Sequence, residues 1–272
     1  MWVVVLLVIM GPNAGFGAGR SSDSTLVLSG TVRDAETGEP LSAANVFLAG
    51  TMHGTATDRS GYFRLRGVPT GAQTLVVSHL GYARIRRDTL LGPGTHRFRF
   101  VLEPVVIELP NLSVRPRGET WRKRLRRFER SFLGPSENAD RTELLNPEVL
   151  TFENSFWGPF TAEAHRPIEF ENRALGYRVR YHLSTFRERG GTIRFDGEPF
   201  FTQLEPRDAA EARRWRRNRR RTYLGSLDHF LRAAVQGRAR EEGFRIYVQP
   251  DRNRSAPSGS GYPIDPSELF EP

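Results

Sequence analysis

The sequence predicts a strand-rich protein in two parts: a β-sandwich of about seven strands, then an α+β domain with an antiparallel meander and about three helices. Three observations carry this reading. Residues 26–104 alternate apolar and polar positions with a period of two between closely spaced turn signals. Past residue 118 the period changes to that of an amphipathic helix. The composition supports a core throughout, since 38% of the 272 residues are hydrophobic and 11% aromatic, which excludes a disordered or collagen-like chain.

The chain opens on an apolar run at 2–10 (WVVVLLVIM), followed by the small, flexible GPNAGFGAG. A run this short fits a secretory leader and not a membrane span, which needs about 20 apolar residues. Residues 1–22 therefore read as a signal peptide and the protein as exported, to the periplasm or the outer membrane. With no later run of comparable length, the mature chain is expected to have no transmembrane helix. Cysteine is absent, so disulfides, thiolate metal sites and cysteine nucleophiles are excluded.

In 26–104, Leu26, Leu28 and Val32 fall on one face, as do Ala44, Val46 and Leu48, Phe63 and Leu65, Leu75 and Val77, and Phe98, Phe100 and Leu102. Turns are marked by 34–40 (DAETGEP), 50–54, 58–61 (DRSG), 67–71 (GVPTG) and 92–94 (GPG). Asp58 is positioned to accept backbone N–H bonds in the turn toward Gly61; a calcium site there would need more carboxylates than this segment has. Gly81 and Tyr82 read as a bend with the ring folded over the sandwich edge.

The phrases GTVRDAETGEPL from Gly30, ANV from Ala44, Gly50-Thr51, GTATDRSGYF from Gly54, VPTG from Val68 and VSHLGY from Val77 resemble the carboxypeptidase regulatory-like domain. That resemblance implies a transthyretin-like β-sandwich over 26–104, common at the start of exported Bacteroidetes-type proteins, including TonB-dependent transporters. It implies an accessory module rather than the zinc domain of metallocarboxypeptidases, and so no activity of its own. The 155 residues after position 117 are too few for a transporter's plug and barrel.

Residues 105–118 carry two prolines and read as a linker. Trp121, Leu125, Phe128 and Phe132 then form one helical stripe among arginines, with Gly134 placed to end the helix. Strands are expected at 168–171, 177–186, 192–195 and 200–204, across turns at 189–191 and at Asp196-Gly197, giving a meander with one charged, wet face. Pro206 opens a second helix and Ser226 caps a third, in which Leu227, Phe230, Leu231, Ala234 and Val235 recur at helical spacing. Residues 119–249 thus read as a basic α+β domain of unknown function, and 250–272 as a disordered tail rich in Pro, Ser and Gly. The phrases FLGPSENA from Phe132, LNPEVL from Leu145 and IEFEN from Ile168, with the Trp215, Asn218, Tyr223, Ser226 and His229 pattern, resemble the region that follows this sandwich in uncharacterised exported proteins. They imply a paired domain and no reaction.

Catalytic patterns are missing: there is no His-Glu-x-x-His, no Walker lysine and no Gly-x-Ser-x-Gly. Glu169 and Glu171 read as solvated carboxylates. Ser226, Asp228 and His229 have triad residue types, but Ser226 serves as an N-cap. No catalytic residue, metal or cofactor is assigned. The charge is informative: 40 Lys+Arg against 31 Asp+Glu give +9, and 113–249 alone hold 28 against 19. Trp215, Arg216, Arg217, Arg219, Arg220 and Tyr223 form the candidate partner-binding set, with Trp215 as a stacking platform. The blander reading pairs such arginines, Arg219 included, with Glu169, Glu171 or Asp228. Because 39 of the 40 basic residues are arginine, and because export conflicts with nucleic acid, the expected partner is an envelope protein, a glycan or an anionic lipid surface. The expected function is a noncatalytic exported binding or scaffold protein of the cell envelope. The alternatives are an envelope hydrolase with an unrecognised site in 119–249 and an accessory partner of an outer-membrane transporter.

Overall fold

A computed structural model describes residues 26–105, 118–154, 158–248 and 262–264. The expected leader at 1–22 and most of the expected linker lie outside the described residues. Two compact units are formed by Met1–Ala212 and Arg213–Pro272.

The first unit begins with the seven strands that the turn spacing foretells: β1 (Val27–Asp34), β2 (Asn45–Leu48), β3 (Gly54–Ala56), β4 (Tyr62–Arg66), β5 (Gly71–Ser78), β6 (Ile85–Leu91) and β7 (Thr95–Leu102). They make two sheets, β4-β1-β7 and β3-β2-β5-β6. Leu28, Val32, Val46, Leu48, Phe63, Leu65, Leu75, Val77, Phe100 and Leu102 fill the space between them. Asp58 Oδ1 accepts from Ser60 Oγ at 2.6 Å and from the Ser60 and Tyr62 N–H groups at 2.8 and 3.0 Å. These donors hold its carboxyl below the usual range and commit the oxygen to the turn. Gly61 has φ 71°, and an added Cβ would lie 2.5 Å from the Val32 carbonyl oxygen, so glycine is required there. Tyr82 closes the sandwich edge by donating to Asp34 Oδ2 at 2.6 Å.

Next comes helix α1 (Glu119–Leu133), ended by Gly134 at φ 73°. Its Phe128 and Phe132 are buried on a sheet built from β8 (Thr142–Leu144), β9 (Leu150–Asn154), β10 (Phe160–Ala164), β11 (Ile168–Asn172), β12 (Tyr177–Arg189) and β13 (Thr192–Gln203). The order is β8-β11-β12-β10-β9, with β13 along the other side of β12. Arg127 pins the helix: it bonds both Glu188 oxygens at 3.1 Å, and its guanidinium lies 4.4 Å from the Phe160 ring centre.

The phrases quoted for the second resemblance are turn ties. Asn146 donates to the Pro167 carbonyl at 2.9 Å and accepts from the Glu169 N–H at 2.7 Å. Asn172 donates to Thr142 Oγ1 and the Asn138 carbonyl, and accepts from the Leu175 N–H at 2.8 Å.

One strand expectation needs correction. Asp196-Gly197 is not a turn; β13 runs through it. A Cβ on Gly197 would sit 2.4 Å from the His182 carbonyl oxygen and 2.6 Å from the Tyr181 ring, so this glycine permits close approach between neighbouring strands. The irregularity lies instead in the partner strand, as a bulge between Leu183 and Thr185. It brings Leu183 and Phe186, an odd number of residues apart, onto the same buried face.

Helix α2 (Ala209–Tyr223) crosses from the first unit into the second, which continues with α3 (Leu227–Val235), β14 (Ile246–Val248) and β15 (Tyr262–Ile264). Ser226 caps α3 by accepting from the His229 N–H at 3.2 Å. The buried face of α3 is His229, Ala233 and Ala234, not the expected leucines. Most of the expected disordered tail lies outside the described residues, but its 262–264 stretch is an ordered strand, antiparallel to β14. Among the described residues no helix is long and apolar enough to cross a membrane.

Candidate functional site

Helix α2 has a sharply divided surface. Glu211 and Trp215, four residues apart, are buried. Arg207 and the Asp208 side chain fix the first turn through Glu211, with Arg207 Nη2 at 2.9 Å from Oε1 and the Glu211 N–H donating to Asp208 Oδ1 at 2.7 Å. Facing outward are Arg213, Arg216, Arg217 and Arg220, all exposed, their side chains without a hydrogen bond or ion pair among the described residues. Arg213, Arg217 and Arg220 follow the i, i+4, i+7 spacing of one helical stripe.

The structure therefore divides the sequence-derived set. Arg216, Arg217 and Arg220 are outward. Trp215 is only 4% exposed, which corrects its reading as a stacking platform: its indole belongs to the helix's inner side. Arg219 is half-buried and, like Arg221, engaged in further interactions. Tyr223 is 38% exposed, with its ring 5.0 Å from that of His229. Arg213, outside the candidate set, joins the stripe by its spacing from Arg217 and Arg220, opposite Trp215. A second cationic hollow of about 410 Å³ lies along α1, lined by Lys123, Arg126, Glu129 and Arg130. Burial pushes the Glu129 carboxyl up there, against the pull of Arg126.

Arginines do pair with Glu171 and Asp228, as the blander reading has it, and the solvated reading of Glu171 is corrected. Glu171 is not solvated but 7% exposed, held by Arg173 and Arg178 at 2.8 and 2.9 Å. Asp228 pairs with Arg232 at 2.9 Å.

The triad residue types do not converge. Ser226 Oγ faces the His229 backbone N–H. The His229 ring accepts at Nδ1 from the Gly225 N–H at 3.0 Å, which places its proton on Nε2, 3.3 Å from Glu242 Oε2. The imidazole thus has no lone pair left for a serine hydroxyl. Phe244 packs edge-on at 4.9 Å, and the arrangement holds α3 in place.

The charged face of the meander is the largest departure from the sequence reading, because part of it is dry. It receives the outer face of the β3-β2-β5-β6 sheet. Phe47 is 3% and Val76 0% exposed, although neither belongs to the sandwich core. Phe47 stacks on His182 at 5.4 Å and meets Phe200 at 5.3 Å. The Gly50 N–H donates to the Pro199 carbonyl at 2.7 Å and the Phe201 N–H to the Thr51 carbonyl at 3.0 Å, so residue 51 bridges β13 in parallel. Arg84 lies 3.1 Å from Glu198, and Arg86 3.5 Å from Asp196. The overlooked signal was the unbroken apolar VFL and LVV of β2 and β5, which marks strands buried on both faces.

Burial, followed by Arg84 and Arg180, pushes His182 down to about 4 from its ordinary 6.5. The native state then binds fewer protons than the unfolded chain between those values, so stability rises with pH across the window. Acidification from 6.5 toward 4 should remove about 2 kcal/mol through this group. Urea midpoints measured across that range should fall less steeply for His182→Asn than for the native sequence; parallel slopes would refute the assignment.

Comparison with known families matches residues 28–114 to the CarboxypepD_reg-like domain. Residues 28–114 are a CarboxypepD_reg-like domain. Its β-sandwich has solved neighbours of low identity. The 5-hydroxyisourate hydrolase of Klebsiella pneumoniae is 21% identical, covering 29% of this chain and 91% of that one with a TM-score of 0.26. A cohesin–X-dockerin complex of Acetivibrio cellulolyticus gives 18%, 29%, 58% and 0.26, and catechol 1,2-dioxygenase of Acinetobacter sp. ADP1 gives 16%, 33%, 56% and 0.26. The chain thus spans somewhat more than half the length of the Acetivibrio and Acinetobacter chains. No curated protein matches. Around the CarboxypepD_reg-like domain, the Phe47 seam is occupied by the chain itself, which leaves the α2 arginine face as the candidate surface for a partner.

Proposed function

We propose that the protein is a noncatalytic binding or scaffold protein of the cell envelope, exported by its leading apolar segment, that engages an anionic partner through the outer face of α2. One observation carries the reading: Arg213, Arg216, Arg217 and Arg220 stand exposed on one helix without a carboxylate partner among the described residues. Long cationic side chains kept in water and uncompensated create a local positive potential that favours an acidic surface. The accessory character of the CarboxypepD_reg-like domain supports the noncatalytic part, and the apolar 2–10 segment supports export.

The test separates this face from net charge. Capture of envelope components on immobilised full chain should fall with added salt. It should be lost in R213Q/R217Q/R220Q and retained in R64Q/R66Q/R99Q, which removes the same charge from exposed sandwich positions. Equal loss in both variants would mean that overall charge, not the α2 face, does the binding.

A further inference from the structure

Past the end of α2 the exposed side chains change from cationic to aliphatic. Leu224 follows Arg220 at i+4, its N–H bonded to the Arg220 carbonyl at 3.0 Å, and is 50% exposed. After the Gly225-Ser226 turn, α3 presents Leu227, Leu231 and Val235 at intervals of four residues, 56%, 46% and 74% exposed. The helix cannot roll to bury them. Its other side is committed to a cluster in which Ala233, Ala234 and Ala239 pack with Phe230 and Phe244, and to the His229 contacts with Gly225 and Glu242. Asp228 and Arg232, paired on α3 at 2.9 Å, cancel each other's charge.

We infer that this strip, cations on α2 leading into aliphatic side chains on α3, is a docking surface for an anionic lipid interface. The inference rests on the proposed anionic partner of α2 and names it. A soluble glycan or an acidic peptide would satisfy the guanidinium groups but would leave four aliphatic side chains in water. A lipid interface answers both parts, with phosphates at headgroup level and hydrocarbon directly beneath. The charge complementarity of the unpaired arginines selects an anionic surface over a zwitterionic one. At 1.5 Å per residue the nine-residue α3 is about 13 Å long, suited to lying in the interface plane and far too short to cross it.

Sedimentation of the full chain with vesicles of phosphatidylcholine and phosphatidylglycerol in equal parts, against phosphatidylcholine alone, tests this. Only the mixed vesicles should capture the native protein, with capture falling as salt rises. R213Q/R217Q/R220Q should weaken it on the order of a hundredfold, and L227S/L231S/V235S by about tenfold or more. All six side chains are exposed, and unchanged circular dichroism checks that each variant is folded. In L231W, indole emission should shift to the blue on mixed vesicles. Loss in the arginine variant with full binding by the serine variant would overturn the lipid inference. So would binding to an acidic polysaccharide without binding to vesicles, which would leave the anionic-partner reading standing. No binding to either would overturn both.

Discussion

Phe132→Ala is expected to lower the unfolding free energy of the first unit by about 3–5 kcal/mol, the range for an aromatic ring removed from a packed core. Phe132 is 3% exposed. Its ring lies 5.0 Å from Tyr181, 5.1 Å from Phe128 and from Phe195, and 5.5 Å from Phe170. One side chain from α1 therefore packs against β11, β12 and β13 at once. Three of these neighbours are rings held in strands and the fourth, Phe128, is fixed on the same helix, so they cannot collapse into the space left behind. Leu125, only partly buried on the same stripe, should cost about 1–2 kcal/mol as alanine. Urea unfolding followed by circular dichroism checks the ranking; similar losses at the two positions would mean that Phe132 is not the keystone of this core.

The same comparison shows what the sequence made legible. Where one rule governed a segment, the residues announced their places. Leu28 and Val32 alternate into the sandwich, Phe128 and Phe132 share a helical stripe, and Ser226 caps α3, because each needs only its near neighbours to be read. Where two surfaces competed, pattern alone was blind. In α3, both the leucines and the His229–Ala233 side have helical spacing, and the decision came from Phe244 and Glu242, distant in sequence. Phe47 and Val76 break the alternation of their strands because a second sheet covers them, a tertiary fact that their apolar runs only hinted at. In the candidate set the charge of the helix was legible, and the side on which each residue stands was not. Trp215 drew attention as an aromatic among arginines, yet a ring that is buried cannot also be a platform.

Arg84→Ala should destabilise the seam by about 2–3 kcal/mol near neutral pH. Glu198 is 3% exposed, and its buried Oε2 has Arg84 Nε at 3.1 Å as counter-ion without an aligned hydrogen bond. Arg84 also donates to Ser184 Oγ at 2.8 Å. Arg86 stays within 3.7 Å of the other carboxylate oxygen, so the loss falls short of that of a fully orphaned charge. The pH dependence identifies the mechanism. Burial already raises the Glu198 carboxyl while Arg84 and Arg86 hold it back; without Arg84 it rises further. A raised carboxyl favours the native state at low pH and loses that advantage as pH climbs through its folded value. The variant's deficit should therefore shrink on acidification, as the protonated acid no longer needs a counter-ion. His182 acts in the same direction, because Arg84 is one of the charges that depress it. R84A/E198Q should recover much of the loss at neutral pH, since it removes the stranded charge along with its partner. Urea midpoints of the native chain and both variants, across the range where His182 and Glu198 titrate, provide the measurement. If the sandwich were fastened to the meander by the Thr51 bridge alone, the Arg84→Ala deficit would be small and indifferent to pH.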